Sequence, residues 1–326
     1  MEATLERLIE LLLVSKQVAG RSKRTIGWYE ERLGTYVKWL RKRGCKGVLS
    51  DLNLQNARAF IQELQSRETR YEDHPLHVPQ PGGLSKYYIH SFVRALKGFA
   101  SWLEEEEYTR THVLAKLKLP KKPKRVIEVL SEAEIQAIVD YINPHCFLGA
   151  RAYAIVMVFL DTGMRVGELV GLTMDGLRLD EGFVKVLGKG DKERLIPIGS
   201  VAKKALLQYI LTWRPESASP EDDAVFLSPK GKPMTVNSAW QMLNRIGKNA
   251  GVPRLHPHLL RHTMAVRYLM EGGDVFSLQK ILGHESLEMT RRYVELAASH
   301  VQVQHKKYSP MDRMFQGRAK GRRRKR

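Results

Sequence analysis

Several things are scarce in this chain, and each scarcity removes a class of protein. Cysteine occurs twice in 326 residues, at Cys45 and Cys146. Two cysteines in different candidate domains form neither a disulfide framework nor a zinc-ligand set, and they suit a reducing compartment. Long apolar runs are missing, and none approaches the ~20 residues of a membrane span. The N-terminal run Leu8, Ile9, Leu11, Leu12 and Leu13 is interleaved with Glu2, Glu6 and Glu10. That pattern reads as an amphipathic helix rather than a secretory leader. The expectation is a cytoplasmic or nucleoid-associated protein with no membrane partner. Acidic residues are scarce too: 35 Asp and Glu stand against 54 Lys and Arg, a formal net charge of +19. Such an excess favours a polyanionic partner, nucleic acid first. There is no P-loop and no cluster of Asp or Glu suited to two metal ions, so no cofactor and no metal site are expected.

What is present divides the chain in two. A length of 326 residues with 43% apolar content supports two cores. Residues 1–118 read as all helix. Ile26, Tyr29, Leu33, Tyr36, Val37 and Leu40 share one helical face; Ala57, Phe60, Ile61 and Leu64 mark a second, with Asp51 or Asn53 as its cap. Ile89, Phe92, Leu96, Phe99 and Leu103 mark a third, capped by Ser85. Between the last two lies Ser66–Gly83, rich in Pro, His and Gly and long for a helix–helix connection. It reads as a disordered insertion, ahead of an extra DNA or partner contact. Arg24, Lys86, Arg94 and Lys97 lie on polar faces beside apolar stripes, the placement of helices laid against phosphates.

Residues 119–129 form a basic linker. Two prolines oppose helix there, and Lys121, Lys122, Lys124 and Arg125 suit a path along a phosphate backbone. Residues 130–314 form the second candidate domain. Ser131 and Glu134 make a capping box, with Leu130 as staple. Helices are expected over 150–160, 201–213, 235–250, 258–271 and 276–282. Strands are expected over 183–187 and 193–198, and a short hairpin over 225–233. Residues 315–326 carry most of a tail with seven cations in the last nine positions; it is expected to be disordered in isolation and open to phosphate.

Chemistry-bearing residues gather in the second half. Arg165 lies in Thr162-Gly163-Met164-Arg165-Val166-Gly167-Glu168, and Lys189 in Gly188-Lys189-Gly190-Asp191-Lys192 on a predicted turn. His258 and Arg261 lie in His258-Leu259-Leu260-Arg261-His262. Gly283 frees a turn before His284, and Tyr293 follows nine residues later. A tyrosine hydroxyl titrates near 10, so as a nucleophile it needs a proton acceptor and a charge-neutralised target. Arginine forks suit phosphate oxygens, and Arg165 and Arg261 are the two candidate clamps. His258 precedes Arg261 by three and shares its helix face; it is the first candidate for general base. His284 would bond the phosphate or order the site, and Glu168 would orient a cation or His258. Lys189 at a hairpin tip can protonate a leaving oxygen, with Lys192 as its rival.

In order and spacing these motifs resemble the tyrosine recombinase (phage integrase, Xer/Cre-like) family over roughly residues 20–310. The resemblance implies a mainly α fold: an N-terminal helical core-binding (SAM-like) domain that clamps DNA, and a C-terminal mixed α/β catalytic domain with a small antiparallel sheet. It selects Lys189 over Lys192. It implies that Tyr293 attacks a scissile phosphate, leaving a 3′-phosphotyrosine and a free 5′-hydroxyl, followed by strand exchange without ATP or metal. It implies double-stranded DNA with specific core sites as partner and a homotetramer on two duplexes, monomeric or weakly associated without DNA. Residues 297–314 would dock on a neighbouring protomer. The absence of an added N-terminal arm-binding domain favours a simple recombinase, and the insertion and tail favour a mobile-element enzyme. Two alternatives share parts of this chemistry. A type IB topoisomerase would relax supercoils as a monomer, and a metal-dependent nicking enzyme would use His256-Pro257-His258 as a His-x-His motif.

Overall fold

The computed structural model describes residues 3–70, 78–119, 127–188 and 192–296, together with 305, 309–311 and 314. The chain divides into two units, Met1–Arg125 and Val126–Arg326. Among the described residues, no helix is long and apolar enough to cross a membrane.

The first unit is built on four helices: α1 (Leu5–Val18), α2 (Lys23–Lys42), α3 (Leu54–Ser66) and, after a two-stranded ribbon, α4 (Lys86–Glu105). Each begins where a side-chain oxygen accepts a backbone N–H that the first turn leaves unpaired: Thr4, Ser22, Asn53 and Ser85. Asn53, not Asp51, caps α3. The apolar stripes converge on an aromatic centre. Phe60 meets Tyr36, Trp39 and Phe92 at centroid distances of 5.1, 5.3 and 5.4 Å. Edge-to-face contacts of this kind add specificity to burial. Both buried indoles keep a partner: Trp39 donates to Glu63 at 2.6 Å and Trp102 to Ser15 at 3.2 Å.

The two ends of the stretch between α3 and α4 correct the expectation of a disordered insertion at 66–83 where they are described. Its ends pair as strands β1 (Thr69–Arg70) and β2 (Gln80–Pro81), antiparallel, with Thr69 opposite Pro81 and Arg70 opposite Gln80. Arg70 also donates to the Gly82 carbonyl at 3.2 Å. Residues 71–77, between the strands, lie outside the described residues.

In the second unit, α5 (Glu132–Tyr141) opens with the expected capping box: Ser131 Oγ accepts from Glu134 N, and Glu134 Oε2 from Ser131 N. Then come α6 (Phe147–Thr162), α7 (Val166–Val170), strands β3 (Leu177–Arg178), β4 (Phe183–Leu187) and β5 (Glu193–Pro197), α8 (Ser200–Gln208), a π-helical turn Tyr209–Trp213, α9 (Val236–Asn249), α10 (Pro257–Met270), α11 (Val275–Leu282) and α12 (Leu287–Leu296). The strands form one antiparallel sheet in the order β3-β4-β5, with Val184 opposite Ile196 and Leu187 opposite Glu193. Alternation buries Val184, Val186 and Ile196. β3 was not expected. The expected hairpin over 225–233 reduces to a single bridge, Leu227 to Pro233, and the expected helix over 201–213 changes to a π-helical turn after Gln208.

Helix α6 is apolar nearly all round and packs against α8 and α10, which is why its sequence lacks a polar stripe. It ends at Gly163, a left-handed cap with φ +59°. A β-carbon there would sit 2.9 Å from Leu282 Cδ2 and from Met264 Sδ. The glycine thus provides both the turn and the close approach of α10 and α11. Replacing Gly163 with alanine is expected to lower stability by about 2 kcal/mol, from strain and overpacking together. Urea unfolding of the full chain measures it, and an unchanged midpoint would mean that the turn tolerates the side chain.

Candidate active site

Helix α10 supplies the centre of the site. His256 caps it, its Nδ1 accepting the Leu259 N–H at 3.1 Å, and Pro257 occupies the first turn, where no N–H is required. One turn later Arg261 is 4% exposed. Its Nη1 donates to the Gly163 carbonyl at 2.6 Å, and its Nη2 to the Leu282 carbonyl at 2.9 Å. The same Nη2 lies 3.0 Å from His284 Nε2. Arginine only donates, so Nε2 of His284 is the accepting nitrogen and Nδ1 carries the proton. Nδ1–H then donates to Thr290 Oγ1 at 2.7 Å. Burial and the charges of Arg261 and Arg165 hold the His284 imidazole down at about 4, consistent with this neutral tautomer.

Arg165 stands at the start of α7, placed there by the left-handed turn at Gly163. Glu168 holds it twice: Oε2 accepts the Arg165 backbone N–H at 2.7 Å, and Oε1 accepts from Nη1 at 2.9 Å. Arg165 Nη2 donates to the Gly283 carbonyl at 3.2 Å. Glu168 also takes two bonds from Arg194 on β5, at 2.9 and 2.8 Å. Burial pushes the Glu168 carboxyl up, but the bonds from Arg194 and Arg165 outweigh it and keep the group below the usual carboxylate range. Burial and the neighbouring Arg165 lower Arg261 to about 10, still cationic at neutral pH.

Tyr293, on α12, is 1% exposed and sits among Met264, Ala265, Val266, Leu278 and Leu282. Its hydroxyl lies 2.7 Å from Nδ1 of His262, and its ring stacks on His284 with centroids 6.2 Å apart. Burial raises the phenol above its ordinary value, against the lowering pull of Arg261 and Arg292. Burial, then Arg292, lowers His262 to about 4. A protonated phenol therefore faces a neutral imidazole.

Of the residues expected from sequence, Arg165, Glu168, Arg261, His284 and Tyr293 come together. His258 is exposed at the start of α10, and its ring is 6.3 Å from that of His262. The histidine against the Tyr293 hydroxyl is His262, and Glu168 binds Arg165 and Arg194 rather than His258. His262 lies within the His258–His262 motif but nothing in the spacing selects it over His258, and Arg194 and Thr290 carried no local signal. Lys189 lies outside the described residues, as do Lys121, Lys122, Lys124, Arg125 and residues 315–326, while 297–314 is described only at 305, 309–311 and 314. In the first unit Arg24, Lys86 and Arg94 are exposed. Arg94 lies over the Trp28 ring at 5.8 Å, and Lys97 donates to the carbonyls of Ala115 and Leu117, both at 3.2 Å.

Comparison with known proteins places this arrangement. The Phage integrase family model matches residues 128–300. Tyrosine recombinase XerC of Bacillus pumilus is 30% identical over 311 residues, covering 94% of this chain and 97% of that protein. Tyrosine recombinase XerD of Halalkalibacterium halodurans is 30% identical over 312 residues, covering 95% and 99%. Among solved structures, XerH site-specific recombinase bound to palindromic difH substrate, in a post-cleavage complex, aligns with a TM-score of 0.69 at 21% identity, over 91% of this chain and 82% of that one. The Tn1549 transposon integrase with a circular intermediate DNA aligns at 0.69 and 20% identity, over 89% and 95%. These two structural likenesses establish the fold.

The two imidazoles lowered furthest, to about 4, set an acid limit. Folded His262 and His284 stay neutral down to about 4, whereas in the unfolded chain they bind protons below about 6.5. Their contribution to stability is full above about 6.5 and is lost as pH falls toward 4. Unfolding midpoints measured between about pH 7.5 and 5, above most carboxylate titration, are expected to fall with pH. His262→Asn is expected to flatten that fall; an equally steep profile in the variant would place the proton uptake elsewhere.

Proposed function

The chain belongs to the phage integrase family of tyrosine recombinases, and on that premise we propose that Tyr293 is the nucleophile that cleaves DNA at a specific core site. The observation that carries the reading is the Tyr293 hydroxyl held 2.7 Å from His262 Nδ1, beside the buried Arg261–His284 pair. The phenol oxygen attacks the scissile phosphorus, and its proton passes to a histidine. A phosphorus–oxygen bond to Tyr293 forms as the bond to the 5′-oxygen breaks, leaving a 3′-phosphotyrosine and a 5′-hydroxyl. The energy of the phosphodiester stays in the covalent intermediate, so a 5′-hydroxyl from another strand can reverse the step without ATP.

Roles follow from the contacts. Arg165, whose side chain is 36% exposed, presents its guanidinium to the incoming phosphate, and Arg261 supports the opposite side from its buried position. His262 holds the phenol by a hydrogen bond in the resting arrangement and is the nearest acceptor for its proton on attack. His258, exposed one turn before, is placed to exchange protons with substrate. Lys189 is assigned the leaving 5′-oxygen. Because Tyr293 is 1% exposed, engagement of DNA must draw α12 from its apolar seat before attack. Exposed Arg24, Lys86 and Arg94 serve the DNA backbone, and exchange between two duplexes uses four protomers. XerH, bound to its difH substrate, and the Tn1549 integrase, in complex with a circular intermediate DNA, support double-stranded DNA as the partner.

A nicked duplex carrying the core site, incubated in EDTA and resolved under denaturing conditions, tests this. Wild type is expected to form a covalent adduct and to release a 5′-hydroxyl fragment; Tyr293→Phe should form none. Arg165→Ala is expected to slow adduct formation by about 10²–10³ with DNA binding retained. An adduct that requires a divalent ion would replace this reading with metal-dependent nicking. Processive relaxation of any supercoiled DNA would replace it with topoisomerase action.

A further inference from the structure

We propose that Arg194 is a positioning residue of the cleavage reaction, locking β5 to Glu168 and to the end of α11, and through Glu168 fixing Arg165. The proposal rests on the reading of Tyr293 and Arg165 above. Arg194 is on β5, which is paired with β4 along its whole length. Its Nη1 and Nη2 grip both oxygens of Glu168 at 2.9 and 2.8 Å. Its Nε donates to the Ile281 carbonyl at 3.3 Å, and Nη2 reaches the Leu282 carbonyl at 3.5 Å. A guanidinium has five N–H donors, so this one is nearly saturated by partners among the described residues. Arg165 is different: two of its side-chain donors are engaged there, and its side chain is more exposed, 36% against 17%. Arg165 can meet a phosphate, whereas Arg194 has little left to offer one.

The surroundings are shaped to admit Arg194. Gly283 adopts φ +60°, and a β-carbon there would lie 2.8 Å from Arg194 Cζ and Nη1. Glycine at 283 therefore serves the turn and the close seat of this side chain at once. Three consecutive carbonyls at the end of α11 are then shared among three arginines. Arg194 takes Ile281 and Leu282, Arg261 takes Leu282, and Arg165 takes Gly283. His284 follows directly. Arg165 already engages both Glu168 oxygens; the grip from Arg194 adds a second partner to each and reinforces the orientation in which Oε1 faces Arg165 Nη1. A displacement of β5 is thereby a displacement of the Arg165 clamp.

The test is a double-mutant cycle on the rate of covalent adduct formation with the nicked duplex, using the full chain. Arg194→Met removes the grip, and Arg194→Lys keeps the charge but loses the two-pronged geometry, so a folded variant is available if the first is unstable. Each Arg194 variant is expected to form adduct about 10–100-fold more slowly, the size typical of residues that orient a reacting group's partner. DNA affinity should stay within about twofold of wild type, because Arg194 gives phosphate no donor. Combined with Arg165→Lys, the Arg194 change should add little further loss, because both act through one clamp. A loss of folded protein alone would instead multiply with Arg165→Lys. Arg194→Lys cleaving like wild type, or rate losses that multiply in the double variant, overturns the proposal. No adduct from wild type overturns the assignment of Tyr293, and this inference with it; an adduct from wild type together with a failed cycle overturns this inference alone.

Discussion

Arg165, Arg194 and Arg261 bring three like charges into one corner of the second unit, where burial makes Arg194 and Arg261 costly to hold. Two features offset the repulsion. Glu168, with its side chain 4% exposed, accepts from Arg165 and Arg194. The end of α11 presents the carbonyls of Ile281, Leu282 and Gly283, which carry the negative end of the helix and have no partner within it. Removing water from a charged group costs several kcal/mol unless such partners replace it. The site's order depends on this corner: without it Arg261 would not lie against His284, and Arg165 would not stand ready at the start of α7.

The same corner explains why the phenol rests where it does. Tyr293 fills an apolar seat made by α10 and α11, and its one polar atom meets His262. Its elevated pKa and the lowered imidazoles describe a resting state with the proton still on oxygen. Burial thus covers the proposed nucleophile in this arrangement.

The first unit follows a different rule. Its aromatic centre of Tyr36, Trp39, Phe60 and Phe92 joins α2, α3 and α4 and leaves Arg24, Lys86 and Arg94 exposed. Surface cations are cheap to hold and add salt-dependent affinity for a polyanion. They need no fixed geometry, whereas the arginines of the second unit need it to within fractions of an ångström.

That contrast decides what could be read in advance. Helix faces were legible because burial repeats every three or four residues, as at Phe92, Leu96, Phe99 and Leu103, and caps such as Ser85 and Ser131 act within one turn. The family, the antiparallel pair 183–187 and 193–197, and the candidate set Arg165, Arg261, His284 and Tyr293 were legible as well, since each lies in a local motif. The pairing of residues far apart was not. That His262 rather than His258 meets the Tyr293 hydroxyl depends on how α12 crosses α10, and that Arg194 serves Glu168 depends on β5 passing α11. Neither relation leaves a trace in spacing, because it is a contact between elements rather than a period within one. The sequence by itself determined which chemistry is available; the packing of α10, α11, α12 and β5 assigned the partners, because hydrogen bonds act over about 3 Å and only folding brings those atoms within reach.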